Sequence, residues 1–117
     1  MADEAAKSFS IEKKDQAVIL QPLMKMLDED QLKMLVQLVD ESTGPDSGIK
    51  LVLLDLSRIS ILPSLALGLM VQISKNCVAR DQKLKLTGLQ PQIRRVFSIT
   101  RLDRTFQFAD STAAAME

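Results

Sequence analysis

The stretch that most constrains the fold is "IKLVLLDLS", residues 49–57. A strand with one face in water alternates apolar and polar residues, whereas a nearly unbroken apolar run suits a strand covered on both faces. Such strands belong to parallel sheets, whose neighbours are joined by crossovers that are usually helical. The flanking sequence should therefore read as helix, and it does. Upstream, "DEDQLKMLVQLVDES" carries an apolar stripe of Leu32, Leu35, Val36 and Val39. Asp28 stands at its start as N-cap, with Gln31 three positions on to complete a capping box. Downstream, Ser64–Arg80 reads as a second helix.

The remaining elements extend the pattern. "FSIEKK" alternates Phe9 and Ile11 with polar neighbours and reads as a strand. Asp15 marks a turn, and "QAVILQ" returns as a second strand antiparallel to the first. Pro22 cannot donate to a ladder, so that second strand is expected at a sheet edge or with a bulge. "TGPDSG" at 43–48 is loop by its Gly, Pro and Asp. "KLKLTG" at 83–88 is a short strand, and "PQIRRVFSIT" is a helix with Pro91 in its first turn. "RLDRTFQF" gives a turn and a last strand, and "STAAAME" closes with a short helix. The expected fold is α/β: a mixed, largely parallel sheet of four to five strands with helices packed on one side, in a single domain over 1–117 with a loose tail at 1–7.

Composition removes several function classes. The 117 residues contain equal numbers of basic and acidic side chains, 15 of each, so the basic excess usual in nucleic-acid binders is missing and no nucleic-acid partner is expected. There is no His, which removes the commonest general base and metal ligand. One Cys cannot make an internal disulfide or a Cys-based zinc site. No Ser-His-Asp set can be assembled, "TGLQP" is no phosphate loop, and no cofactor is implied. The longest apolar stretch, Ile61–Val71, is shorter than the roughly 20 residues of a membrane span. A cytoplasmic protein is expected.

Taken in order, "LVLLDLSRISILPSLALGLMVQISK" and "LKLTGLQPQIRRVFSITRLDRTFQF" resemble the STAS family, named for sulfate transporters and anti-sigma factor antagonists. Its members run from a strand ending in Asp-Leu-Ser, here Asp55–Ser57, to an Asp-Ser-Ser-Gly that opens a helix. The match spans roughly residues 9–110. The resemblance implies a binding role rather than catalysis. Small bacterial members bind an anti-sigma factor that is also a serine kinase, and phosphorylation at the helix start switches that binding off.

Aligned on Asp-Ser-Ser-Gly, this chain has Pro63, Ser64, Leu65 and Ala66. The resemblance puts Leu65 at the phosphoacceptor position, where a hydrocarbon cannot accept phosphate; Leu67 and Gly68 fit the family again. Ser64 has two readings: an N-cap whose hydroxyl accepts from the N–H of residue 66 or 67, or a substitute phosphorylation site whose dianion would meet the positive helix end. Ala66, Leu69, Met70, Ile73 and Cys77 share one helix face and are expected to pack on the sheet. Leu67, Val71, Ser74 and Val78 make a second stripe, with Val71 and Val78 expected beneath the 91–100 helix. Leu65 and Leu67 form a partner patch or pack inside, and Leu67→Asp is expected to weaken partner capture.

The partner-binding set is thus Ser64, Leu65, Leu67 and Gly68, and the expected partner is a serine-kinase-like anti-sigma factor or a related regulatory ATPase. Two other readings stay open: a scaffold or transport-associated subunit that docks an ATPase, and a nucleotide-binding domain. Cys77 reads as a buried inert thiol, and Asp55 as the cap of its own turn or, less simply, as a residue near a phosphate site. Arg94 and Arg95 resemble a basic patch, with an ordinary charged helix face and pairing of Arg95 with a neighbouring acid as the plainer alternatives, and Met24 and Met26 read as sheet packing. Arg101 stands where the family has a glycine after the helix, so it either strains the backbone or ends the helix differently. An exposed edge near residues 9–13 is compatible with a homodimer.

Overall fold

The computed structural model describes residues 8–116; the tail expected at 1–7 lies outside the described residues. Five strands form one sheet in chain order: β1 (Phe9–Lys14), β2 (Ala17–Pro22), β3 (Leu51–Asp55), β4 (Lys83–Thr87) and β5 (Gln107–Ala109). β1 and β2 are antiparallel and every later pair is parallel. The crossovers are α1 (Glu29–Ser42), α2 (Ser64–Ala79) and α3 (Pro91–Ile99), the last followed by a 3-10 turn at Leu102–Arg104; α4 (Thr112–Met116) closes the chain.

The pleat explains the layers. Val18, Leu20, Val52, Leu54, Leu84 and Leu86 project to one face and share a core with α1, α2 and α3. Leu53, between two of them, projects to the other face and is still wholly buried. That face is covered by α4, which lies against β3, β4 and β5 and whose Ala115 carbonyl accepts from Lys85 Nζ at 3.1 Å. The three long helices share one side as expected, and the short closing helix takes the other. It is what gives β3 the two covered faces its sequence demanded. Each fully buried Val or Leu there contributes roughly 1.5–3 kcal/mol.

The capping box forms: Asp28 Oδ1 accepts from the Gln31 N–H at 2.8 Å, and Gln31 Oε1 accepts from the Asp28 N–H at 3.0 Å. Asp15 turns the first hairpin with φ 56°. Pro22 corrects an expectation. β2 is neither an edge strand nor bulged; it lies between β1 and β3. Pro22 fits because it ends the strand, beyond the last pairing with β3 (Leu20 with Leu54), and opposes Phe9. The Leu23 N–H donates to the Ser8 carbonyl at 2.9 Å. Bonded pairs alternate with open ones in an antiparallel ladder, so Phe9–Pro22 is an open pair and the missing N–H is not needed.

α2 also departs from expectation on its flanks. Its closest helical neighbour is α1, not α3. Val71 is half-buried, but Val78 is 73% exposed, so the short α3 leaves it uncovered. α3 is instead pinned toward β5, where Phe97 meets Phe106 and Phe108 edge-on at 5.5 Å. At the far end of the sheet Arg80 holds Asp40 at 3.1 Å and Thr43 Oγ1 at 2.8 Å.

Candidate functional site

The C-terminal ends of β2 and β3 feed two loops that run side by side. The Ser60 and Ile61 N–H groups both donate to the Lys25 carbonyl, at 2.9 and 3.2 Å, and a lone parallel bridge joins Met26 to Ile61. Leu27 and Ile59, buried in the core, anchor the loops from below. What they hold up is apolar and open to water: Ile61 is 57% exposed, Leu65 50% and Met26 44%. Leu65 lies in the first turn of α2, four residues after Ile61. Met26 was expected to pack on the sheet. Met24 does pack against the core, but Met26 is lifted clear by the bridge to Ile61.

Pro63, not Ser64, is the N-cap of α2. Its φ of −65° and ψ of 154° are extended, and no side chain caps the helix. Ser64 is therefore already inside the first turn, where its hydroxyl cannot reach forward to the N–H of residue 66 or 67. The Ala66 N–H is instead taken by the Pro63 carbonyl at 2.9 Å. The first turn also lacks an acidic residue.

Each helical residue advances about 100°, which places Leu65 and Leu67 roughly 160° apart around α2. Ser64, Leu65 and Gly68 share the outward side and all three are exposed. Leu67 is half-buried and packs against the core. The four residues expected to act together are thus divided, three outward and one on the flank. Met26 and Ile61 join the outward three. Ile61 was legible as an apolar residue in a loop; Met26 carried no signal of its own, since only the pairing of two loops brings it there. A Cβ built on Gly68 would meet nothing within 4 Å, so no packing inside the chain requires glycine at that position.

Polar groups brace the same end. The Ser57 N–H donates to Asp55 Oδ1 at 3.0 Å, which is the turn cap expected of Asp55. Gln21 Nε2 reaches Ser57 Oγ at 3.1 Å, and Gln90 Nε2 reaches the Ser57 carbonyl at 3.0 Å. Gly88, at φ +68°, lets the β4–α3 loop press against this turn. Arg94 stacks its guanidinium 3.7 Å from the Phe108 ring centroid, a cation–π contact. Of the alternatives for Arg95, the ion pair does not form: no carboxylate among the described residues lies within salt-bridge distance of it. Cys77 is buried, and its thiol is pushed up from 9.0 to about 11, mainly by desolvation, with Arg80 opposing and Asp40 adding to the shift. A cleft of about 400 Å³, lined by the 43–50 loop and residues 80–82, opens at the opposite end of β3 and β4. Among the described residues no group of three or more acidic or Cys side chains could hold a metal, and no helix is long and apolar enough to cross a membrane.

Five strands in chain order, one antiparallel hairpin followed by parallel βα units, and an apolar helix mouth at the carboxyl ends of the strands define a small mixed α/β domain. The chain belongs to the STAS domain family, whose model matches residues 8–115. Among solved structures it is similar to a Thermotoga maritima protein assigned as an anti-sigma factor antagonist. That match has 27% identity and a TM-score of 0.80, over 92% of this chain and 91% of that one. It is also similar to an anti-sigma factor antagonist from Mycobacterium paratuberculosis (18% identity, TM-score 0.77, 92% and 89% covered). A variant of RsbS from Moorella thermoacetica matches with 19% identity and a TM-score of 0.76, over 92% and 91%. At these lower identities the last two speak to the fold alone.

Proposed function

We propose that this chain is an anti-sigma factor antagonist: a cytoplasmic binding protein, without catalysis of its own, that captures a serine-kinase-like anti-sigma factor and so releases the sigma factor. The observation that carries the reading is the gathering of Met26, Ile61 and Leu65, each about half exposed, at the helix start where the family is switched. Ser64 and Gly68 share that outward side. A few central apolar side chains can dominate a modest interface, and a bare glycine beside them lets a partner approach the backbone. The likeness to the Thermotoga protein supports an anti-sigma factor as the partner.

Leu65 adds a regulatory consequence. Its side chain has no hydroxyl, so a kinase partner aimed at this position has nothing to phosphorylate, and the complex should persist in ATP. The test is titration of the chain with a serine-kinase anti-sigma factor, with and without ATP. Wild type is expected to stay bound in both conditions. Leu65→Ser is expected to become labelled at residue 65 and to dissociate in ATP. Ser64 supplies the competing mode of regulation, because it is exposed and its hydroxyl caps nothing. ATP-dependent labelling of wild type that vanishes in Ser64→Ala would replace the unswitchable antagonist with one switched at Ser64. Lack of binding by any kinase of this class would end the antagonist reading.

A further inference from the structure

β1 is paired with β2 on one side, and among the described residues nothing pairs with its other side. The register says which backbone groups that edge presents. Ser8 and Leu23 are a bonded pair, and bonded pairs recur at every second residue of an antiparallel ladder. Ser10, Glu12 and Lys14 therefore spend their N–H and C=O groups on Gln21, Ile19 and Ala17. Phe9, Ile11 and Lys13 turn theirs outward. Ile11 also has a side chain 42% exposed on the helix-bearing face, beside the buried Leu20 it opposes. An open edge of this kind is a template for another strand.

We infer that this edge pairs with the same edge of a second copy of the chain, antiparallel and centred on Ile11. A two-fold axis perpendicular to the sheet makes the two β1 strands antiparallel and keeps both helix layers on one side. Opposed residues then share a face. Centred on Ile11, every outward residue meets an outward residue: Ile11 faces Ile11, and Phe9 faces Lys13. Each of these donates one backbone hydrogen bond and accepts another. Between them Ser10 faces Glu12 of the second copy, a neutral partner for a carboxylate. The competing registers are worse. Centring on Glu12 sets two carboxylates against each other at the narrow spacing of about 4.5 Å between Cα atoms, where like charges destabilise. Centring on Lys13 opposes two ammonium groups; it also sets Glu12 against Lys14 twice, but it leaves each exposed Ile11 opposite the Asp15 turn and still in water. Centring on Ser10 shortens the overlap. Only the Ile11 register removes two half-exposed apolar side chains from water together. A contact of one strand from each copy is smaller than a standard interface, so the dimer is weak and concentration-dependent.

The register makes the test specific. In the bonded Ile11 pair the Cα atoms are about 5.5 Å apart, within disulfide reach. Full-length Ile11→Cys, mildly oxidised, is expected to yield a covalent dimer at least tenfold faster than Glu12→Cys; the native Cys77 is buried and does not compete. In sedimentation equilibrium Ser10→Lys, brought opposite Glu12, is expected to tighten the dimer several-fold, and Ser10→Glu to weaken it. All these side chains are exposed, and matching thermal melts confirm that the variants are folded. A wild-type chain that stays monomeric at every concentration, equal cross-linking at 11 and 12, or the reverse order of the two Ser10 variants would each overturn the pairing as stated.

Discussion

Met26 and Ile61 lie side by side on two loops joined by a single parallel bridge, and Leu65 follows Ile61 at the opening of α2. Because about half of each side chain is already in water, a charge placed there gives up only the buried half. Ile61→Asp and Leu65→Asp are therefore expected to stay within about 1.5 kcal/mol of wild-type stability. Their capture of a kinase-like anti-sigma factor should fall at least tenfold, about 1.4 kcal/mol. Leu67→Asp behaves differently. Its side chain packs against the core, so the substitution should lower the melting temperature, with a cost of roughly 1–3 kcal/mol. Calorimetric titration beside thermal melts separates the two behaviours.

Gly68 separates stability from docking in the opposite direction. It sits in a helix with open space where a Cβ would point. Gly68→Ala should stabilise the chain by about 0.8–1 kcal/mol through helix propensity. If a partner approaches that bare backbone, the same methyl weakens the complex. A raised urea midpoint together with a raised Kd is the expected result; a raised midpoint with unchanged Kd would move the interface off this turn.

Gly88 has no such freedom. At φ +68° a Cβ would stand 3.1 Å from Ser57 Cβ and 3.2 Å from Asp55 Oδ1, and those two residues are tied to each other. Gly88→Ala combines left-handed strain with crowding and should cost roughly 1–3 kcal/mol. Chemical denaturation gives the value.

Cys77 predicts an alkaline limit. Its thiol is held near 11 in the fold against 9.0 when free. Between those values the unfolded chain has released the proton and the folded chain has not, so unfolding is favoured as pH rises. Stability should be flat with respect to this group below pH 9 and decline from there toward pH 11. Cys77→Ala should remove that part of the slope, measurable by denaturation across the range.

Much of the fold was legible because local and tertiary demands agreed. The apolar run through β3 needed two covered faces, and Asp28 with Gln31 announced the start of α1. Disagreements arose where neighbours in space, not in sequence, decide. Pro22 looked like an edge marker because strand order and the phase of the ladder are not written in residues 17–22. Ser64 looked like a cap because serine favours caps, but the extended Pro63 had already taken that position. Val78 looked covered because the stripe on α2 does not say that α3 packs toward Phe106 and Phe108 instead. At the site, Leu65 and Gly68 could be read from the alignment, and their sharing of a side with Ser64 follows from helical spacing. Met26 could not be found in this way, since its place depends on two loops meeting. Arg101, where the sequence allows either backbone strain or a different helix end, takes the left-handed conformation itself, at φ 62°, and the helix ends where a glycine would have ended it.

The strands stand in the sheet in the order in which they occur along the chain. During synthesis, each βα unit leaving the ribosome can add to the rim completed just before it, and no later segment has to be threaded between two that are already joined. Assembly can therefore keep pace with translation, starting from the first hairpin and advancing one strand at a time.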